Sequence, residues 1–219
     1  MSCTRRFGRV VIASTVHPEY RRILSTYLTH LEPQIVTIPA PSGRASVEDV
    51  ASAINDETAA VVIQQPNFFG QLEDIGPMID AAHRKGALAI VVFDPISLGI
   101  LQRPGDLGAD IVVAEGQSLG NPLSFGGPYL GILACRESYV RKMPGRIVGQ
   151  TTDRNGKRCW VLTLQTREQH IRREKATSNI CTNQGLLALR SSIYLATMGP
   201  KGLRRAAELS ARNAHRTAE

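Results

Sequence analysis

The sequence predicts an α/β fold of three layers, in which a mostly parallel sheet lies between two layers of helices. From Arg9 to about Arg136, short apolar runs alternate with longer amphipathic stretches, as expected of successive strand–helix units. Several runs, such as Val61-Val62-Ile63 and Ile90-Val91-Val92-Phe93, are apolar at consecutive positions, so both faces of these strands should be buried. With 219 residues and 42% hydrophobic content, the chain is large enough for one substantial core.

The predicted elements follow in chain order. Strands are expected at Val10 to Ser14, Ile35 to Ile38, Ala60 to Gln64, Leu88 to Asp94, Ile111 to Ala114 and Tyr129 to Ala134. Helices are expected at Glu19 to Leu31, Val47 to Asn55 and Ile75 to Lys85. Ser46 with Asp49 resembles an N-terminal cap and an acidic first turn, and Gly86 provides a C-terminal stop. The strands before residue 116 should be parallel, and the direction of the strand near residue 130 stays open.

The pattern changes beyond residue 143. A polar stretch from Gln150 to Lys157 predicts a hairpin or an exposed loop, and a helical period covers Gly185 to Met198. Gly199-Pro200 should interrupt the helical structure before a final helix. We therefore expect an α/β core over residues 1–145, and a hairpin with C-terminal helices over residues 146–219. The amphipathic pattern is interrupted at the last residue, which we interpret as a truncation.

Composition argues against several classes of protein. No apolar run reaches the roughly 20 residues of a membrane helix and no secretion signal is present, so we expect a cytoplasmic protein without membrane association. Cys3, Cys135, Cys159 and Cys181 are far apart, which indicates neither a disulfide framework nor a metal site. The net charge of +7 is concentrated in the last third and interleaved with glutamates. A solvated helix face explains this better than nucleic-acid binding.

Two residues that directly follow predicted strands are candidates for function. Asp94 ends an apolar strand at the edge where open α/β sheets bind ligands, and its carboxylate suits a cationic ring nitrogen. The alternative is that Asp94 only caps the turn that follows. His17 follows the first predicted strand, but a histidine there is more often a loop residue than a catalyst. The glycine-rich stretch at 120–128 lacks the phosphate-binding motifs, so a structural turn is the better interpretation.

Six stretches carry a resemblance to a known family. They are Val16-His17-Pro18-Glu19-Tyr20-Arg21, Gln64-Gln65-Pro66-Asn67-Phe68-Phe69-Gly70, Asp94-Pro95-Ile96-Ser97-Leu98-Gly99, Gly116-Gln117-Ser118-Leu119-Gly120, Phe125-Gly126-Gly127-Pro128-Tyr129-Leu130-Gly131, and the long run from Arg167 to Gln184. In this order they resemble glycine decarboxylase, the pyridoxal-phosphate-dependent P-protein of the glycine cleavage system. Within that family the chain is most similar to the N-terminal, non-catalytic subunit of the two-subunit bacterial form.

The resemblance implies an incomplete large domain of the aspartate-aminotransferase-like fold (fold-type I). In that fold an aspartate pairs with the ring nitrogen of pyridoxal phosphate and a lysine holds the cofactor covalently. Asp94 matches the aspartate, and His17 approximately matches the residue over the ring; both are vestigial candidates. The lysine position is occupied by Gln117 or Ser118, depending on the register, so the resemblance implies no catalytic lysine in this chain.

The resemblance also implies a function and partners. The intact enzyme decarboxylates glycine and transfers aminomethyl to the lipoyl group of H-protein, with pyridoxal phosphate held covalently by catalytic subunit 2. This chain would then support the reaction as a subunit and be inactive alone. Interface or site-lining candidates are Asn67, Lys175, Thr177, Ser178 and Asn179; a capped helix start is the alternative for the last four. The competing functions are a self-sufficient pyridoxal-phosphate aminotransferase or lyase, and a non-enzymatic binding domain.

Overall fold

The computed structural model describes residues 1–127, 129–176 and 184–219. The chain forms two compact units. The first comprises Met1–Ala134 together with Leu186–Glu219, and the second comprises Cys135–Gly185. This grouping differs from the division expected at residues 145 and 146, because the C-terminal helix groups with the sheet.

The first unit is built on a six-stranded sheet with the order β2-β1-β3-β4-β5-β6. The strands are β1 Arg9–Ala13, β2 Gln34–Ile38, β3 Thr58–Gln65, β4 Leu88–Phe93, β5 Ile111–Glu115 and β6 Gly131–Cys135. All pairs from β2 to β5 are parallel. The predicted strands are therefore confirmed to within about two residues at each end, and so is the predicted parallel direction.

Helices connect the first strands: α1 spans Pro18–Leu28, α2 spans Val47–Ala53 and α3 spans Ile75–Arg84. The Ser46 hydroxyl accepts a hydrogen bond of 3.1 Å from the backbone N–H of Asp49, which confirms the predicted cap of α2. That helix ends before Asn55, because the Thr58 hydroxyl and the Asn55 side chain form a turn that leads into β3.

The long C-terminal helix α5 spans Gly185–Ala218 and has a kink at Gly199, where φ is 59° and ψ is −178°. Pro200 follows the kink, so the predicted break is confirmed. Two glycines allow this helix to approach the sheet unit closely. A Cβ added to Gly99 would lie 2.6 Å from the Leu203 carbonyl oxygen, and one added to Gly120 would lie 2.8 Å from Cβ of Tyr194.

The second unit contains the predicted hairpin. Its strands β7 (Ile147–Thr152) and β8 (Arg158–Thr163) pair antiparallel, and the short helix α4 spans Gln169–Arg172. The Asp153 carboxylate closes the turn by accepting hydrogen bonds from the backbone N–H groups of Asn155 and Lys157. Across both units, no helix of the described residues is long and apolar enough to cross a membrane.

Candidate functional site

The carboxyl ends of the parallel strands lie at one edge of the sheet, and the candidate residues are found there. β1, β3 and β4 are neighbours with the same direction, so the segments after Ala13, Gln65 and Phe93 leave the sheet on the same side. His17 follows β1 and Asp94 follows β4, so both lie at this edge. That their side chains share one cleft stays a prediction.

His17 is the N-cap of α1. Its Nδ1 accepts a hydrogen bond of 3.1 Å from the backbone N–H of Glu19, and Pro18 occupies the start of the helix. The backbone N–H of His17 donates a hydrogen bond of 2.8 Å to Oε1 of Gln64, near the end of β3. These two contacts fix the position of the imidazole relative to the sheet edge.

The His17 ring belongs to an aromatic cluster. Its centroid lies 4.9 Å from that of Tyr20 and 4.9 Å from that of Phe68, and the Phe68 and imidazole planes are nearly perpendicular, at 82°. Phe69 extends the cluster at 5.7 Å from Phe68. The loop is held in place because the backbone N–H of Phe68 donates to the Thr15 carbonyl at 2.8 Å. The imidazole thus packs against two aromatic rings of its own chain.

Asp94 is exposed and acts as a turn cap in the structure. Its Oδ1 accepts a hydrogen bond of 3.1 Å from the backbone N–H of Ile96, while the Ser97 hydroxyl donates to the Asp94 carbonyl at 2.7 Å. The first contact is that of an Asx turn at the start of a short helix, and the second ties Ser97 to the Asp94 backbone. Asp94 therefore caps the turn that follows β4, as the alternative interpretation expects, and it uses one carboxylate oxygen to do so.

The loop after β5 contains the two positions at which the resemblance places a lysine. The Gln117 backbone N–H donates to Oε1 of Glu115 at 2.9 Å, and its side-chain Nε2 donates to the Asn121 carbonyl at 2.6 Å. Ser118 is exposed. An amide and a hydroxyl cannot form an imine with an aldehyde, so neither side chain can hold pyridoxal phosphate covalently.

Asn67 is turned inward, although it was expected at an interface or lining the site. Only 4% of the residue is exposed, and its side-chain Oδ1 accepts from the backbone N–H groups of Phe69 and Gln71. Its amide nitrogen donates to the Gly43 carbonyl and to Glu73. The hydrogen bonds of Asn67 thus stabilise the loop that contains Phe68 and Phe69.

The other candidates lie outside the first unit. Lys175 is exposed in a short 3-10 helix, Arg173–Lys175, of the second unit. Thr177, Ser178 and Asn179 lie outside the described residues, as does Pro128 of the glycine-rich stretch. Among the residues that the structure describes, no three His, Cys, Asp or Glu side chains are grouped so as to hold a metal ion.

Tyr20 and Glu115 lie close together in the structure, and sequence reasoning singled out neither as a candidate. They line a cavity of about 410 Å³ on the sheet. Partial burial raises the pKa of the Tyr20 phenol, and the nearby Glu115 carboxylate adds to the rise. Glu115 also accepts hydrogen bonds from the backbone N–H groups of Gln117 and Leu130, so it joins the loop after β5 to the approach to β6. The position of Glu115, an acidic residue at the end of an apolar strand, was the sequence signal that could have identified it as a candidate.

Comparison with known proteins identifies the family. The sequence model described as "Glycine cleavage system P-protein" matches residues 1–219. The chain belongs to the glycine cleavage system P-protein family. The resemblance noted from the sequence is therefore confirmed.

Individual relatives agree with the family assignment. The chain is 56% identical over 221 residues to the "Probable glycine dehydrogenase (decarboxylating) subunit 1" of Desulfitobacterium hafniense, and covers 49% of that protein. It is 54% identical over 220 residues to the protein of the same name from Thermomicrobium roseum, again covering 49%. The chain thus spans about half the length of the curated relatives it matches.

A solved structure supports the fold. A crystal structure of glycine decarboxylase (P-protein) of the glycine cleavage system, in inhibitor-bound form, matches with a TM-score of 0.87 and 50% identity. The match covers 92% of this chain and 45% of that one. The predicted fold class, a mostly parallel three-layer α/β domain, is confirmed.

Proposed function

We propose that this chain is the non-catalytic subunit of a glycine decarboxylase. One observation carries the proposal: a member of the P-protein family over its whole length has an amide or a hydroxyl, Gln117 or Ser118, where the cofactor lysine is required. The chain has no lysine between Lys85 and Lys142, so no nearby position in the sequence supplies the amine. The name "subunit 1" of the relatives supports the existence of a second subunit.

The glycine decarboxylase family depends on pyridoxal phosphate. The chemistry of the side chains in this chain determines which contacts with that cofactor are possible. When bound, pyridoxal phosphate supplies an electron sink for decarboxylation. The side chains at 117 and 118 do not fit covalent attachment. Asp94 and His17 fit at most a non-covalent contact, because one oxygen of Asp94 caps its turn and His17 Nδ1 caps α1. The covalent site therefore belongs to the partner subunit, and no step of the reaction is assigned to this chain.

The contribution of this chain is then to scaffold the working site of its partner. Its carboxyl edge is built from fixed loops: Gln64 holds His17, and Glu115 holds the backbone at Gln117 and Leu130. Such preorganised edges suit an interface that must position residues of another subunit. Asp94 and His17 are vestigial in this assignment.

The proposed partners are catalytic subunit 2 and lipoylated H-protein, and the proposed location of the complex is the cytoplasm. Lys175, Thr177, Ser178 and Asn179 are proposed to line the interface or the site. Asn67 acts on that interface indirectly, through the loop that it holds. Nucleic acid is not a proposed partner, since the arginines and lysines of the last third of the sequence are interleaved with Glu168, Glu174 and Glu208, and Arg204 pairs with Glu208 at 2.8 Å.

Reconstitution tests the proposal. Release of carbon dioxide from glycine is measured with lipoylated H-protein, pyridoxal phosphate and three samples: catalytic subunit 2 alone, this chain alone, and both together. We expect activity in the mixture, none with this chain alone, and co-elution of the two chains on a sizing column. Activity of this chain alone would refute the non-catalytic assignment. Failure to bind subunit 2, while the full-length Desulfitobacterium hafniense subunit 1 binds it, would refute the scaffolding role.

A further inference from the structure

The net positive charge of the chain is concentrated in the second unit, Cys135–Gly185. This unit contains eleven arginines and lysines but only four aspartates and glutamates, which gives it a net charge of +7. The whole chain also has a net charge of +7, so the first unit is neutral overall. Charge of one sign on a small unit attracts partners of the opposite charge and speeds their association. An anionic partner would therefore approach the second unit.

Three cations at the tip of the hairpin have no carboxylate partner. These tip cations, Arg154, Lys157 and Arg158, are exposed, and within the described residues none of them forms an ion pair. Asp153, beside them in sequence, instead accepts backbone N–H groups of the turn through Oδ1. The guanidinium carbon of Arg158 lies 6.0 Å from the centre of the Trp160 ring. The tip cations are therefore available to the carboxylates of another molecule.

One face of the hairpin carries an exposed apolar cluster beside the tip cations. Val148 of β7 pairs with Leu162 of β8, and Gln150 pairs with Trp160. Every second pair of a ladder lies on the same face, so Val148, Leu162 and Trp160 share one face, which we call the hairpin face. Their exposed fractions are 57%, 47% and 61%. Arg158 is the next residue of β8 on that face, so the apolar cluster ends at a cation.

The composition of the hairpin face is typical of a protein-binding surface. Protein interfaces combine an apolar centre with a polar rim, and tryptophan and arginine are enriched among the residues that dominate their binding energy. Trp160 and Arg158 are such a pair, with Val148 and Leu162 beside them. A single two-stranded hairpin is also only marginally stable unless it packs against something else. Covering this face would therefore stabilise the hairpin as well as the complex.

We propose that the hairpin face binds an acidic protein segment whose carboxylates lie beside apolar side chains. The apolar side chains of the segment cover the hairpin face, and its carboxylates pair with the tip cations. Attraction between opposite charges at a solvated surface is screened by salt over about 10 Å at 0.1 M. Binding is therefore fast and weakens as the salt concentration rises. The inference goes beyond the proposed function and does not rest on it.

Nucleic acid suits the hairpin face less well than an acidic protein segment does. Phosphates would satisfy the tip cations, but the phosphodiester backbone has no apolar groups to cover Val148 and Leu162. Proteins that bind single strands stack successive bases on several aromatic rings. The hairpin face has one ring, that of Trp160, which lies among aliphatic side chains. Charge and apolar surface together thus favour an acidic protein segment.

Three probes of defined chemistry test the inference on the full chain. The first is a synthetic peptide with glutamate and leucine at amphipathic helical spacing, the second has glutamine in place of each glutamate, and the third is a short DNA duplex. Anisotropy of a label on each probe gives the affinity. We expect the glutamate peptide to bind at least about tenfold more tightly than the other two at low salt, and to weaken as salt is added.

Fluorescence shows whether the peptide binds at the hairpin face. Trp160 is the only tryptophan of the chain, so its emission reports on this face alone. We expect the glutamate peptide to shift that emission to shorter wavelength, because a covered indole loses contact with water. An unchanged emission on binding would place the peptide elsewhere and overturn the inference.

Charge reversal separates the tip cations from the net charge of the chain. Arg154→Glu with Lys157→Glu should weaken binding of the glutamate peptide by at least about tenfold. The control, Arg44→Glu with Arg84→Glu, makes the same change of net charge at exposed positions of the first unit and should bind nearly normally. The probe comparison uses the unmodified chain, so it decides the question even if a variant does not fold.

Three further results would overturn the inference. One is a glutamine peptide that binds as tightly as the glutamate peptide, since apolar contact alone would then explain binding. Another is a DNA duplex that binds at least as tightly at the same salt concentration, since the surface would then be a phosphate-binding one. The last is an equal loss of binding in the tip variant and in its control, since the net charge and not the hairpin would then attract the peptide.

Discussion

The side-chain amide of Asn67 donates a hydrogen bond of 2.9 Å to Oε1 of Glu73, and the two residues are 4% and 5% exposed. The other carboxylate oxygen of Glu73 accepts from the backbone N–H of Ala45 at 3.1 Å, and Asn67 also donates to the Gly43 carbonyl at 2.8 Å. The pair thus ties the loop after β3 to the loop before α2. A buried carboxylate requires such partners, because an unpaired one is strongly unfavourable.

Asn67→Ala removes a donor from this buried carboxylate and two acceptor contacts from the loop. We expect the free energy of unfolding to fall by about 2–4 kcal/mol, the range for leaving a buried charged group poorly satisfied. Chemical denaturation followed by circular dichroism measures the change. Asn155→Ala, at an exposed hairpin position, is the matched control and should change stability by less than about 0.5 kcal/mol. Equal effects of the two substitutions would contradict this account of the loop.

Gly120 allows helix α5 to approach the loop after β5. Its φ is +82°, and a Cβ there would lie 2.8 Å from Cβ of Tyr194. Gly120→Ala should therefore lower the unfolding free energy by about 1–3 kcal/mol through strain and overpacking. Gly105→Ala is the control, since a Cβ at Gly105 meets nothing within 4 Å. Thermal unfolding of both variants measures the change in stability. If Gly120→Ala leaves the stability unchanged, α5 does not pack closely against this loop.

Alkaline pH should weaken the fold through Tyr20. Burial raises the pKa of the Tyr20 phenol above the ordinary value of 10.0, and the Glu115 charge raises it further. The neutral phenol is therefore favoured in the folded state, and its stabilisation is fully present below pH 10.0. That stabilisation is lost as the pH rises through the folded pKa.

Two substitutions test the Tyr20 prediction. Tyr20→Phe should reduce the loss of stability above the ordinary tyrosine pKa, while Tyr27→Phe, at a residue 79% exposed, should leave that loss unchanged. Glu115→Gln should lower the pKa of Tyr20 toward its ordinary value, as seen in a spectroscopic phenolate titration. A stability profile that is the same with Phe at position 20 would show that another group causes the alkaline loss.

The sheet could be predicted because its signal is local. Strands buried on both faces need consecutive apolar residues, and runs such as Val61-Val62-Ile63 show this directly in the sequence. The cap of α2 and the kink at Gly199 also depend on neighbouring residues only. These features were therefore accessible from sequence.

Other features depend on contacts between distant residues. Asn67 appears in sequence as a polar loop residue, and only the folded chain brings Gly43 and Glu73 to its amide. The grouping of α5 with the sheet unit depends on Gly120 and on the buried hydrogen bond of 2.8 Å from Asn121 to Ser191. Neither contact leaves a periodic pattern, so this grouping could not be predicted from sequence.

Asp94→Asn separates the two interpretations of Asp94. Asparagine keeps an acceptor oxygen for the Ile96 backbone N–H, so the turn and the stability should be retained. Because the partner holds the cofactor in our proposal, we also expect unchanged glycine decarboxylation by the mixture with subunit 2. A large loss of activity with normal stability would show that Asp94 still acts on the cofactor ring. The reconstituted assay and denaturation of the isolated variant together measure both properties.

The most direct test of the non-catalytic assignment locates the covalent cofactor. This chain and catalytic subunit 2 are mixed with pyridoxal phosphate, treated with borohydride, and mapped by peptide mass spectrometry. We predict an adduct on subunit 2 and none on this chain, since Gln117 and Ser118 replace the lysine that such an adduct needs. A stoichiometric adduct on Lys85, Lys142 or Lys175 of this chain would contradict the account.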